Sequence, residues 1–244
     1  MAQVLLVAAG TGGAGKSTLC ALVGQELARR GRNVLLVEMS AGFRGLDLSL
    51  GMEGRIVYDL ADLLLGRCPP EKAAAVHPLY PGLRLVAAPG DPAFQPGQRE
   101  FGNFLRWGRE SFDIILIDTP GDFGPGFAVP AACSDGALIL AAPLPVSVRG
   151  AAAVSARLRA VGLTRQRLVI NRVPQKLCPR ADLRDLDDVI DRTGVQLIAA
   201  IPSDPAVDTA LLQGGVLAAA SPAGRAVANL AARILGESVP LMLE

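Results

Sequence analysis

Residues 10–18 read Gly10-Thr11-Gly12-Gly13-Ala14-Gly15-Lys16-Ser17-Thr18 and match the pattern G-x-x-x-x-G-K-[ST] at every defined position. The apolar run Gln3–Ala9 comes before this stretch, and an amphipathic run follows it. In that context the pattern predicts a strand, a glycine-rich loop whose backbone N–H groups surround phosphates, and a helix whose N-terminus adds a positive dipole. The sequence therefore predicts a P-loop nucleotide-binding fold.

The residue types in this loop indicate a nucleotide bound with Mg²⁺. We expect Lys16 to reach the β- and γ-phosphate oxygens and the Ser17 hydroxyl to coordinate the metal. The chain has only three lysines, Lys16, Lys72 and Lys176, among 24 basic residues. In so lysine-poor a chain, a lysine at this position favours a phosphate ligand over a chance glycine-rich turn. The residues expected to contact the nucleotide are Gly10, Thr11, Gly12, Gly13, Ala14, Gly15, Lys16, Ser17 and Thr18.

Composition limits the other kinds of chemistry. The chain has 244 residues and a net charge of +1, so it has no overall attraction for nucleic acid or anionic lipid. Its one histidine, His77, argues against chemistry based on paired histidines and is predicted to be an exposed or half-buried loop residue. The four cysteines form no C-x-x-C pair, which favours free thiols in a reducing compartment over a zinc site. These features predict a cytoplasmic protein without a membrane-spanning helix.

Short apolar runs alternate along the chain with longer amphipathic runs. This alternation is typical of an α/β fold in which strands are buried on both faces. The predicted strands are Gln3–Ala9, Asn33–Glu38, Leu83–Ala87, Asp113–Asp118, Ala137–Ala141, Arg167–Asn171 and Gln196–Ile201. The predicted helices are Lys16–Arg30, Val57–Leu65, Gln98–Glu110, Val146–Val161, Asp182–Thr193, Pro205–Gln213 and Pro222–Leu235. We predict a mostly parallel, doubly wound sheet of about seven to eight strands, flanked by helices, in a single domain spanning residues 1–244.

An acidic position completes the predicted metal site. The apolar run Ile114–Ile117 ends at Asp118, and a carboxylate at such a strand end can hold Mg²⁺ through a water molecule. Asp118 and Lys16 are the predicted catalytic residues, and Ser17 and Asp118 are the predicted metal-binding residues. The following turn, Thr119–Asp122, is a candidate sensor of the γ-phosphate.

Four parts of the chain resemble the MinD/ParA family of P-loop ATPases, and the MinD branch is the most similar. They are Gly10–Thr18; Val34–Leu60, which contains the string Arg-Ile-Val-Tyr-Asp-Leu; Phe112–Pro120; and Val169–Val173 with Ile201–Asp204. The resemblance implies an ATPase that forms a nucleotide-dependent dimer. It also implies that Asn171 and Arg172 contact the adenine base, for which an amide and a guanidinium are chemically suited.

Two departures from the family pattern affect hydrolysis. The family's loop carries a second lysine that reaches the partner's phosphates, and here that position is Thr11. The family also has a carboxylate that orients the attacking water, and here that position is Ser40. Neither hydroxyl replaces the lost charge, so the resemblance implies intact nucleotide binding with slow or lost hydrolysis. Asp122 is the candidate substitute for the missing carboxylate.

The resulting prediction is an ATP-binding switch protein that acts in division-site placement or related cellular positioning. One alternative is an active ATPase that uses substitute residues. Another is a non-enzymatic, nucleotide-bound scaffold, or the heterodimer partner of an active family member. Residues 226–235 lack a basic face and Pro240 would break a helix, so direct membrane binding is not favoured. An arginine cluster at residues 157–172 is interpreted as a solvated surface, and nucleic acid binding is not favoured either.

Overall fold

The computed structural model describes residues 2–175 and 185–241. In these ranges the core is one eight-stranded sheet with the order β3-β4-β2-β5-β1-β6-β7-β8. Every neighbouring pair is parallel except β3 and β4, which are antiparallel. The strands are β1 (Gln3–Ala9), β2 (Val34–Glu38), β3 (Ala75–Val76), β4 (Leu83–Val86), β5 (Ile114–Asp118), β6 (Gly136–Ala141), β7 (Gln166–Val173) and β8 (Leu197–Pro202). The predicted α/β fold with a mostly parallel sheet is confirmed.

Helices cover both faces of this sheet. They are α1 (Lys16–Arg29), α2 (Leu46–Ser49), α3 (Leu60–Leu64), α4 (Pro70–Ala73), α5 (Gln98–Ser111), α6 (Pro125–Cys133), α7 (Pro145–Ala160), α8 (Leu186–Thr193), α9 (Pro205–Leu212) and α10 (Pro222–Ile234). One apolar core lies between the sheet and α1 with α10, and the other lies between the sheet and α5 with α7. Because both faces are covered, the strands are almost continuously buried, as the apolar runs predicted.

The sequence prediction missed three helices and the two-residue strand β3. Helices α2 and α4 have four residues each, too few for a helical period to be visible, and α6 contains Pro130 within an almost entirely apolar segment. Helix α3 begins later than predicted because Asp59 accepts a hydrogen bond from the Asp62 backbone N–H and forms a capping box with it. Residues 182–184 of the helix predicted at 182–193 lie outside the described residues.

The environment of the single histidine differs from the prediction. His77 is buried, and its Nδ1 accepts hydrogen bonds from the backbone N–H groups of Leu79 and Tyr80. Burial lowers the pKa of His77, because the charged imidazolium is poorly solvated there. His77 is therefore a core residue that organises a turn.

The strand order places three chain segments side by side. Strand β5 lies between β1 and β2, and in the register Asp118 is opposite Val7 on one side and Glu38 on the other. The carboxyl ends of these parallel strands therefore meet at one edge of the sheet, where α/β proteins commonly bind ligands. Within residues 2–175 and 185–241, none of the helices combines the length and the apolar character needed to cross a membrane.

Candidate nucleotide and magnesium site

The loop between β1 and α1 has the backbone that a phosphate-binding loop requires. Gly13 and Gly15 have φ angles of 72° and 94°, in the left-handed region that favours glycine. Gly15 immediately precedes α1, so the first N–H groups of this helix point into the loop. Lys16 and Ser17 are the first two residues of the helix, which places both side chains at the mouth of the loop.

Gly10 is restricted by packing against a neighbouring helix. Its φ is not in the left-handed region, but a Cβ at this position would overlap the backbone of Gly150 in α7. Helix α7 therefore lies directly against the start of the loop. Sequence reasoning assigned all the loop glycines to the approach of phosphate, and for Gly10 the structure gives a second reason, the close contact with α7.

Ser17 and Asp118, the two predicted metal-binding residues, are in direct contact. The Ser17 hydroxyl donates a hydrogen bond of 2.6 Å to Asp118 Oδ2. The other carboxylate oxygen, Asp118 Oδ1, is buried and has no hydrogen-bond partner among the described residues. A buried oxygen without a partner is costly unless a ligand or a solvent molecule satisfies it. A hydroxyl and a carboxylate at the mouth of a phosphate loop form a donor set of the kind that Mg²⁺ prefers, so the residues present fit this metal.

The electrostatics of Asp118 depend mainly on its burial. Burial, with a smaller contribution from the negative charge of Glu38, raises the pKa of Asp118 to about 7. The Ser17 hydrogen bond and the positive charge of Lys16 oppose this rise. A divalent cation would remove the cost of ionising the carboxyl, because it supplies a strong positive charge beside the buried oxygen.

Glu38 ends β2 next to Asp118, and sequence reasoning missed its role. It is buried, and its two oxygens accept hydrogen bonds from three backbone N–H groups, those of Gly45 (2.9 Å), Leu46 (3.0 Å) and Ala88 (3.2 Å). Burial raises the pKa of Glu38, and the three backbone hydrogen bonds act in the opposite direction. The signal was present, because the apolar run 34–37 ends in an acid in the same way as the run that ends at Asp118.

The two residues predicted to contact the base lie beside the loop. Asn171 Nδ2 donates a 2.9 Å hydrogen bond to the carbonyl oxygen of Ala14, so its amide is tied to the loop backbone. Arg172 is the one non-glycine residue in the described part of the chain with a positive φ, 56°. A bulge near the end of β7 accompanies this backbone conformation. Positive φ angles at non-glycine residues are often found at functional sites. Both residues line a cavity of about 240 Å³ with Gly15 and Thr18.

The positions that depart from the family pattern have local contacts. Thr11 Oγ1 lies 3.4 Å from Ser147 Oγ near the start of α7, so Thr11 interacts with its own chain. Ser40 lines an open cleft between residues 39–43, 89–96 and 120–126. Asp122 lines the same cleft, but it is exposed and its Oδ1 accepts a 2.9 Å hydrogen bond from the Gly124 backbone N–H.

Comparisons with known proteins agree with this geometry. The family model described as the CobQ/CobB/MinD/ParA nucleotide binding domain matches residues 5–217. The septum site-determining protein MinD of Bacillus subtilis (strain 168) is 31% identical over 255 aligned residues, which cover 100% of this chain and 92% of that protein.

Solved structures extend the likeness to three dimensions. The MinD of the Aquifex aeolicus MinC:MinD cell division protein complex superimposes with a TM-score of 0.91 at 32% identity, over 99% of this chain and 98% of that chain. The Pyrococcus horikoshii MinD complexed with Mg-ADP shares the fold, with a TM-score of 0.84 at 22% identity over 96% of each chain. The chain described here therefore belongs to the CobQ/CobB/MinD/ParA family of nucleotide-binding domains and is a MinD-like P-loop protein.

Proposed function

We propose that this protein binds ATP or ADP with Mg²⁺ and acts as a MinD-type nucleotide-dependent switch whose ATP hydrolysis is slow or lost. One observation carries the binding part of the proposal. An intact phosphate loop places the Ser17 hydroxyl 2.6 Å from Asp118, whose second oxygen is buried and without a partner among the described residues. In this proposal Lys16 and the loop amides bind the phosphates, while Ser17 and Asp118 hold the metal, Asp118 through a water. The bound metal supplies charge neutralisation at the terminal phosphates.

Slow hydrolysis is supported by what stands at positions 11 and 40. Thr11 contacts Ser147 of its own chain and carries no charge that could reach a partner's phosphates. Ser40 lacks the carboxylate that would accept a proton from, or orient, an attacking water. The candidate substitute, Asp122, already accepts a hydrogen bond within its own turn. Groups of these kinds contribute about two or more orders of magnitude in rate in other enzymes.

ATP turnover tests this proposal. The parent protein is compared with the double variant Thr11→Lys/Ser40→Asp at saturating Mg-ATP, and binding of ATP and ADP is measured in parallel by calorimetry. We expect both proteins to bind nucleotide and the double variant to turn over ATP at least about tenfold faster. Robust turnover by the parent, at a rate typical of MinD/ParA ATPases and not exceeded by the double variant, would contradict impaired hydrolysis. Absence of nucleotide binding by the parent would contradict the whole proposal.

The cellular role is proposed from the relatives. The Bacillus subtilis relative is a septum site-determining protein, and the Aquifex aeolicus relative forms a complex with MinC. We extend division-site placement, or a related positioning task, to this protein. Its partners are nucleotide and, when ATP is bound, a second copy or a MinD-like protein. Sizing chromatography of the ATP and ADP complexes tests the dimer, and a monomer in both states would contradict it.

A further inference from the structure

The carboxylate of Glu38 joins three separate segments of the chain. Glu38 is the last residue of β2 and lies next to Asp118. One of its carboxylate oxygens accepts hydrogen bonds from the Gly45 and Leu46 N–H groups, and the other accepts one from the Ala88 N–H. Gly45 precedes helix α2, Leu46 is its first residue, and Ala88 follows β4. One buried side chain therefore fixes the spacing between the metal-site edge, the start of α2 and the loop after β4.

Other contacts close the same segment against the same loop. The Gly42 N–H donates to the Pro89 carbonyl at 2.8 Å. Arg44 donates to the Ala88 carbonyl at 3.1 Å and forms a 2.9 Å ion pair with Asp59. Segment 39–46 is thus attached at several points to residues 88 and 89 and to the cap of α3.

Helix α2 explains why a buried acceptor is needed here. It has only four residues, so its own hydrogen bonds cannot stabilise it. Its first N–H groups lack partners inside the helix, and no side-chain cap is present at Gly45. Glu38 supplies that acceptor from the neighbouring strand. A glutamate side chain is long enough to extend beyond the strand end, where its two oxygens reach the start of α2 and the loop after β4.

We propose that Glu38 is a positioning residue for Mg-nucleotide binding, which holds segment 39–46 against residues 88–90 before nucleotide arrives. This role rests on the proposed function, because the segment so held carries Ser40 and flanks the Asp118 metal site. The site edge is then preorganised, and nucleotide binding does not have to order the segment. Removing Glu38 transfers that ordering cost to the binding step.

Amide hydrogen exchange of the nucleotide-free protein tests the first half of the proposal. The variants are Glu38→Ala and Glu38→Gln, and the matched control is Asp135→Asn, which also removes a carboxylate that accepts from a strand N–H, that of Val4. In Glu38→Ala, the Gly45, Leu46 and Ala88 amides should exchange about tenfold or more faster, as for loss of a hydrogen bond. A glutamine has one acceptor oxygen, so Glu38→Gln should lose protection on one side only. The control also breaks the Asp135 ion pair with Arg109, and it should leave exchange of the Gly45, Leu46 and Ala88 amides unchanged.

Mg-ATP affinity tests the second half. We expect Glu38→Ala to bind Mg-ATP about tenfold more weakly, with a smaller loss in Glu38→Gln and none in Asp135→Asn. Equal exchange of the three amides in parent and Glu38→Ala, or protection that develops only when ATP is added, would overturn the proposal. Faster exchange with unchanged Mg-ATP affinity would also overturn it, since Glu38 would then be structural only. Failure of the parent to bind ATP would instead refute the proposed function. Amide exchange is measured without nucleotide and would still show whether Glu38 orders segment 39–46, so the two failures can be distinguished.

Discussion

Replacing Asp118 with asparagine should change how the stability of the ligand-free protein depends on pH. Burial raises the folded-state pKa of this carboxyl from 3.8 to about 7. A carboxyl with a raised pKa stabilises the fold fully below pH 3.8, and that contribution is lost as pH rises through 7. Each pKa unit corresponds to about 1.4 kcal/mol, so the cost of ionising the buried group reaches about 4 kcal/mol above pH 7. Asparagine has a similar shape and does not ionise.

The measurable quantity is the difference in unfolding free energy between the variant and the parent, compared at two pH values. By linkage, the penalty from Asp118 grows by about 2 kcal/mol between pH 5.5 and pH 8, because only part of it is present at the lower pH. We therefore expect the free energy of unfolding of Asp118→Asn, relative to that of the parent, to be about 2 kcal/mol larger at pH 8 than at pH 5.5, which means that the variant is relatively more stable at pH 8. Groups that do not interact with Asp118 are common to both proteins and cancel.

Urea denaturation with EDTA present measures this difference. The single tryptophan, Trp107, provides the signal, since it packs with Phe104 and Phe112 and donates to Glu71. Asp135→Asn is the control. The Arg109 ion pair and the Val4 N–H lower the pKa of Asp135, so this carboxyl is ionised in the folded and the unfolded state at both pH values, and its removal should change stability equally at pH 5.5 and pH 8. Parallel pH dependence of the parent and Asp118→Asn would refute the reasoning, because Asp118 would then ionise normally in the folded protein.

Three further predictions concern packing, binding and acid stability. Gly10→Ala should cost about 1–3 kcal/mol of unfolding free energy, because its Cβ overlaps the α7 backbone, whereas Gly12→Ala meets nothing within 4 Å and should be nearly neutral in the same urea assay. Asn171→Ala should weaken Mg-ADP binding about tenfold in calorimetry, because it removes the 2.9 Å hydrogen bond to the Ala14 carbonyl and loosens the loop. Unchanged affinity would contradict this role of Asn171. Burial lowers the pKa of His77, so the folded state resists protonation of this ring. The parent should therefore lose stability as pH falls below 6.5, and His77→Gln should lose less stability over the same range. Equal acid midpoints would show that the histidine titrates freely.

Much of the site could be predicted because its signals are local in sequence. The loop at residues 10–18 carries its own pattern, and Asp118 follows an apolar run long enough to identify as a buried strand. The short helices α2 and α4 could not be predicted, because tertiary contacts such as the Glu38 hydrogen bonds stabilise them rather than periodicity. The burial of His77 likewise depends on segments that are distant in sequence.

The close contact between Gly10 and Gly150 has a consequence for how this protein can diverge. A Cβ at position 150 would lie 2.9 Å from the Gly10 carbonyl carbon, so either residue can gain a side chain only if α7 moves away from the loop. Gly150 lies outside the loop pattern and is invisible to a search for that pattern, yet it is under the same steric restriction. In relatives of this protein, the residue aligned with position 150 should therefore indicate how tightly α7 is seated on the phosphate loop.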